Sequence, residues 1–99
     1  MTAPAAARRR TAAAAFLDAL GGALRIRTDA LPGGCEVSDP VQAPGHRACG
    51  RQAVLTVHFT DQWGRCILVH ACASHAELLR YLASARPGVR AVIRSYSPA

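Results

Sequence analysis

Two pairs of metal-type ligands at the same short spacing constrain this chain more than any other feature. The first is His46-Arg47-Ala48-Cys49, followed at once by Gly50. The second is Cys72-Ala73-Ser74-His75. Two intervening residues let a tight turn, or the first turn of a helix, present both side chains of a pair to one ion. Imidazole nitrogen and thiolate sulfur are the ligands that tetrahedral zinc favours. Gly50 permits the backbone to curl so that neighbouring amides point at the Cys49 sulfur. Cys72 at the start of a helix has its thiolate stabilised by the exposed amides there.

The chain between and around these pairs reads as a small α+β domain. Ala53 to Thr60 alternates, with Ala53, Leu55, Val57 and Phe59 on one face and Val54, Thr56, His58 and Thr60 on the other, as in a half-buried strand. Asp61-Gln62-Trp63-Gly64-Arg65 supplies a turn, and Cys66 to Ala71 the returning strand. Ser74 and Glu77 stand at capping-box spacing, Leu78, Leu79 and Leu82 form an apolar stripe, and Arg86-Pro87-Gly88 stops the helix. Val89 to Tyr96 reads as a last strand, with Val89, Ala91 and Ile93 facing one way and Arg90, Val92, Arg94 and Tyr96 the other.

Upstream, Thr11 begins a short helix carrying Phe16, Leu17, Leu20 and Leu24, which Gly21-Gly22 ends or weakens. Leu24 to Thr28 alternates as an edge strand. Residues 31–48 are rich in Pro and Gly and carry no apolar pattern. A loop of that length in a compact domain calls for something to tie it down, and metal ligation at its end would do so. Residues 1–10, ending in Arg8-Arg9-Arg10, are expected to be a disordered basic tail, with residues 11–99 forming the single domain and 46–85 its metal-binding core.

Knuckle, hairpin and helix in that order resemble a treble-clef zinc finger or related ribbon-like zinc domain. The resemblance covers roughly residues 46–85 and rests on Ala48-Cys49-Gly50-Arg51 and Cys72-Ala73-Ser74-His75. It implies a structural zinc ion held by His46, Cys49, Cys72 and His75. The first ligand departs from the usual cysteine, so Cys35 stands as the alternative to His46, brought in by the long loop folding back.

Other readings of the same residues stay open at this level. Cys35 with Cys49, and Cys66 with Cys72, would suit disulfides in a secreted protein, whereas a cytoplasmic location, expected here, favours metal. Cys66 reads as a small buried hydrophobe on its strand. His58 and His70 fall on adjacent strands and could face each other. His75-Ala76-Glu77 matches half of a zinc-deaminase motif, but no cysteine follows to complete it. Phosphate-binding loops, nucleophile elbows and H-E-x-x-H are absent from the sequence, and four protein ligands leave zinc no open position. The chain is therefore read as non-enzymatic, with no small-molecule substrate.

The formal net charge of the 99 residues is +6, and all 12 basic residues are arginine. An all-arginine set also fits a GC-rich coding sequence, so the choice over lysine carries little about recognition. The charge permits contact with nucleic acid. Arg8, Arg9, Arg10, Arg47, Arg51 and Arg65 are the candidate phosphate contacts, with Trp63 stacking on a base. The alternative is a regulatory module that binds a protein partner or a second copy through a strand edge. No apolar run is long enough to span a membrane.

Overall fold

The computed structural model describes residues 5–20, 24–27, 33–38 and 49–96. At its centre is the strand whose alternation is clearest in the sequence. β3 (Leu55–Thr60) lies between β4 (Cys66–Ala71) and β5 (Arg90–Ser95), antiparallel to both. Val57 pairs with Val69 on one side and Ile93 on the other, so all three strands turn one common face inward.

That face carries the core. Val57, Phe59, Val69 and Ala71 are fully buried, with Leu55, Ile67, Ala91 and Ile93 packed at its border. α2 (Ala73–Ser84) lies against β3, β4 and β5 and buries His75, Ala76, Leu79 and Ala83. These positions recur at helical spacing, which is why the stripe works. The expected stripe is shifted: Leu79 is buried and Leu82 half-buried, but Leu78 is 42% exposed. The expected capping box is also corrected. The N-cap is Cys72, an extended residue at φ −70 and ψ 167, so the helix begins ahead of Ser74. Ser74 instead accepts from Arg51, and Glu77 pairs with Arg80.

α1 (Ala5–Leu20) packs against β4 and β1, with Ala13, Leu17 and Leu20 buried in the same core and Phe16 against Phe59 of β3 at 5.1 Å between ring centroids. The expectation of a disordered tail through residue 10 is thus corrected from Ala5 onward. The helix continues through the three arginines because Arg9 and Arg10 have a carboxylate to meet.

That carboxylate belongs to Glu36, in a stretch the sequence left as patternless loop. β1 (Arg25–Ile26) pairs with β2 (Val37–Ser38), and the segment leading into β2 is tied on two sides. Cys35 N–H donates to Arg51 C=O, Ala53 N–H to Gly33 C=O, and Glu36 N–H to His70 C=O. Residues 33–38 therefore run as a strap between the knuckle and the edge of β4. Backbone groups that would otherwise be buried without partners find them there.

The Glu36 side chain continues the same job. It is 2% exposed and accepts from Arg9 Nη1 at 2.8 Å, Arg10 Nε at 2.9 Å and the His70 amide at 2.9 Å, while Arg9 Nη1 also donates to the Leu68 carbonyl. Burial alone would raise the Glu36 pKa, but Arg9, the His70 amide and Arg10 outweigh it and hold the carboxyl below its usual range.

Candidate metal centre

Cys35, Cys49, Cys72 and His75 converge, their ligand atoms all within 4.8 Å of one another. Each arrives by a different route. Cys35 comes on the strap and Cys49 from the knuckle ahead of β3. Cys72 ends the return from β4, and His75 sits in the first turn of α2. Gly50 follows Cys49 at φ 79, the left-handed conformation that glycine alone adopts readily, and this turns the chain from the ligand toward β3.

Three of the six spacings inside the cluster match the edges of a coordination tetrahedron. Cys49 Sγ and Cys72 Sγ are 3.8 Å apart. His75 Nδ1 lies 3.4 Å from Cys35 Sγ and 3.5 Å from Cys72 Sγ. With metal–sulfur bonds of about 2.3 Å and metal–nitrogen bonds of about 2.0–2.1 Å, tetrahedral edges come to about 3.8 Å for S···S and about 3.6 Å for S···N. The set could hold a metal ion.

Electrostatics argue the same way. Cys35, Cys72 and His75 are 2%, 4% and 8% exposed, and Cys49 is half-buried. Burial pushes the Cys35 thiol up to about 12, with the Cys72 and Cys49 sulfurs adding to the rise. Burial also raises Cys72, but the amides of His75 and Ser74 and the thiols of Cys49 and Cys35 outweigh it, and its pKa falls below the ordinary thiol value. Packed thiols of this kind resist ionisation together, and a bound cation removes that penalty.

All four cysteines are free thiols, so neither disulfide considered from the sequence is formed. Cys35 occupies the place in the set for which it was the alternative, and His46 lies outside the described residues. Cys66 is exposed rather than buried, because it opens β4 opposite Thr60 at the outer end of the sheet. His58 and His70 share the open face of the sheet but are not cross-strand partners. His70 Nδ1 meets Thr56 Oγ1 at 2.9 Å, and its ring stacks on Tyr96 at 4.1 Å between centroids. Glu77, the second half of the deaminase-like pair, is bound to Arg80 on the surface.

The candidate nucleic-acid contacts are scattered. Arg9 and Arg10 are occupied by Glu36. Arg8 and Arg51 are exposed, and Arg47 lies outside the described residues. Arg65 binds Asp61 and sits 5.8 Å over the ring of Trp63, which is 73% exposed at the hairpin tip. Sequence reasoning missed Glu36 altogether. No helix among the described residues is long and apolar enough to cross a membrane. No known protein family, characterised protein or solved structure matches the chain.

Proposed function

We propose that this chain is a non-enzymatic binding module stabilised by a structural zinc ion at Cys35, Cys49, Cys72 and His75, and that its arginine-rich surface contacts nucleic acid. The zinc reading is carried by the convergence of the four ligand atoms, three of whose spacings fit sulfur and nitrogen around one tetrahedral ion. Three thiols with one imidazole select a soft ion such as zinc over calcium or magnesium. Four protein ligands, three of them buried, complete the sphere and leave no position for a reacting water. The order of knuckle, hairpin and helix supports the treble-clef resemblance, with the first ligand supplied by the strap.

Zinc here would join the strap, the knuckle, β4 and α2, four segments otherwise linked through a modest core. The test is elemental analysis of protein purified without chelator, paired with thermal unfolding before and after chelation. A single zinc per chain, and a large loss of thermal stability when it is removed, are expected. A metal-free protein that melts at the same temperature would refute the reading.

The nucleic-acid part draws support from the net charge of +6 and from strands β3, β4 and β5, which contain no acidic residue. Its test is salt-dependent binding of oligonucleotides, since phosphate contacts release counterions.

A further inference from the structure

Among the described residues the three-stranded sheet has one covered face and one open face. α1 and α2 account for the covered one. On the other side stand the even-numbered residues: Cys66, Leu68 and His70 of β4, Thr56, His58 and Thr60 of β3, Arg90, Val92 and Arg94 of β5. Among these Cys66, Thr60, Arg90, Val92 and Arg94 are exposed, and His58 and Leu68 half-buried. Among the described residues only one end is closed, where Tyr96 stacks on His70 beside the buried Thr56.

The chemistry of this face is uneven in a specific way. Arg90 and Arg94 project from the same side of the edge strand, and among the described residues neither has an ion-pair partner. Between them lies Val92, 41% exposed, with His58 directly across on β3. Past Arg90, a shallow cleft of about 470 Å³ is lined by Thr60, Asp61, Gln62, Gly88, Val89 and Arg90. The face thus offers two separated cations with a flat, partly apolar strip between them.

We infer that this open sheet face, through Arg90 and Arg94 flanking Val92 and His58, is the docking surface for a single-stranded nucleic acid. The inference rests on the nucleic-acid reading above and relocates it away from Arg9 and Arg10. Charge complementarity chooses the occupant, because Arg90 and Arg94 have no ion-pair partner among the described residues and β3, β4 and β5 carry no acid, so the face calls for a polyanion. A three-strand sheet about 10 Å wide is a platform, too flat to enter a duplex groove. It suits one extended strand with phosphates on the arginines and bases over the strip and the Tyr96–His70 rings. A second copy added along β5 is disfavoured, since it would bring four arginines to one seam with no acid in β3, β4 or β5 to offset them.

The test uses zinc-loaded full chain and fluorescence anisotropy with labelled mixed-sequence single strands of about 10 nucleotides and the matching duplex. Two variants probe the face, R90A/R94A and V92E. R8A/R51A is the comparison, since those arginines are exposed elsewhere. Single strands should bind in preference to duplex. R90A/R94A should weaken binding roughly tenfold or more and flatten the salt slope by about 1.4, the share of two phosphates. V92E should abolish binding, and R8A/R51A should change it little. Undiminished binding by both face variants, with loss in R8A/R51A, would overturn the face while leaving a nucleic-acid module standing. A wild type that binds no oligonucleotide at low salt would overturn both, and doubling of its mass by light scattering would assign the face to a second copy.

Discussion

Arg9 and Glu36 meet through both terminal guanidinium nitrogens although 27 positions separate them in the chain. Arg10 adds a second cation, and the His70 amide closes the ring of donors. The contact pins α1 to the strap and to the edge of β4, and it satisfies edge groups that would otherwise invite another strand. Burial works against the Arg9 charge, but the Glu36 carboxylate outweighs it and raises the guanidinium pKa further.

Glu36→Gln should be costly despite its matching shape. All the partners of that carboxylate are donors, so the new NH₂ group must face another N–H. Removing one partner from a buried ion pair costs about 3–5 kcal/mol, and the 22% exposure of Arg9 places this case near about 3. Urea unfolding of the zinc-loaded protein measures it. A loss under about 1 kcal/mol would mean the ion cluster does not hold α1 in place.

Gly50→Ala should destabilise by about 1–2 kcal/mol, because an L-residue must then hold φ 79. The space around the added methyl is open, so the cost is conformational and not steric. Gly64→Ala, at φ 82 in the hairpin turn, should cost a similar amount. The two differ in metal affinity, measured by competition with a chromogenic chelator: G50A should weaken it through Cys49, and G64A should not. Equal zinc affinities would show that the knuckle turn does not position its ligand.

What the sequence made legible was what depends on local pattern. The alternation from Ala53 to Thr60 named the buried face of β3, and the returning strand has the limits expected, because each rests on side chains two apart. The α+β class followed from those patterns. The approach of Cys35 to His75 was open only as an alternative, since the strap is set by backbone bonds to Arg51 and His70 that no side-chain period announces. Glu36 was invisible for a related reason. An acid is buried only where cations reach it, and these come from Arg9 and Arg10, in the part of α1 read in sequence as a tail. Leu78 and the Ser74–Glu77 box misled because helix phase was set by Cys72, the residue that also serves the cluster.

The turn at Asp61 should loosen in acid. Its carboxylate accepts the Trp63 and Arg65 amides at 2.9 Å each and binds the Arg65 side chain. Burial would raise its pKa, but those contacts outweigh it and hold it below the ordinary Asp value. Arg65 is the cation on its own turn, and Arg90 lines the adjoining cleft from β5. A group depressed on folding contributes stability above its unfolded pKa and loses it as pH falls through the folded one. The Trp63 and Arg65 amide resonances should therefore move together, with a midpoint below that of a model aspartate. In Asp61→Asn the step should vanish. A midpoint at or above the ordinary value would remove the turn from this account.

The ligand set itself is separable by three substitutions. Cys35→Ser deletes a sulfur whose distance to His75 Nδ1 is 3.4 Å, and it should lower zinc per chain and unfold the module in a chelator that wild type survives. Cys66→Ser changes an exposed thiol outside the cluster and should leave zinc content and melting temperature unaltered. His46→Ala decides between the two sets that the sequence allowed. With Cys35 as the fourth ligand, His46→Ala should keep its zinc and melt with wild type. If instead it loses the metal while Cys35→Ser retains it, the ion sits on the knuckle pair, and the convergence of Cys35 with His75 is packing alone.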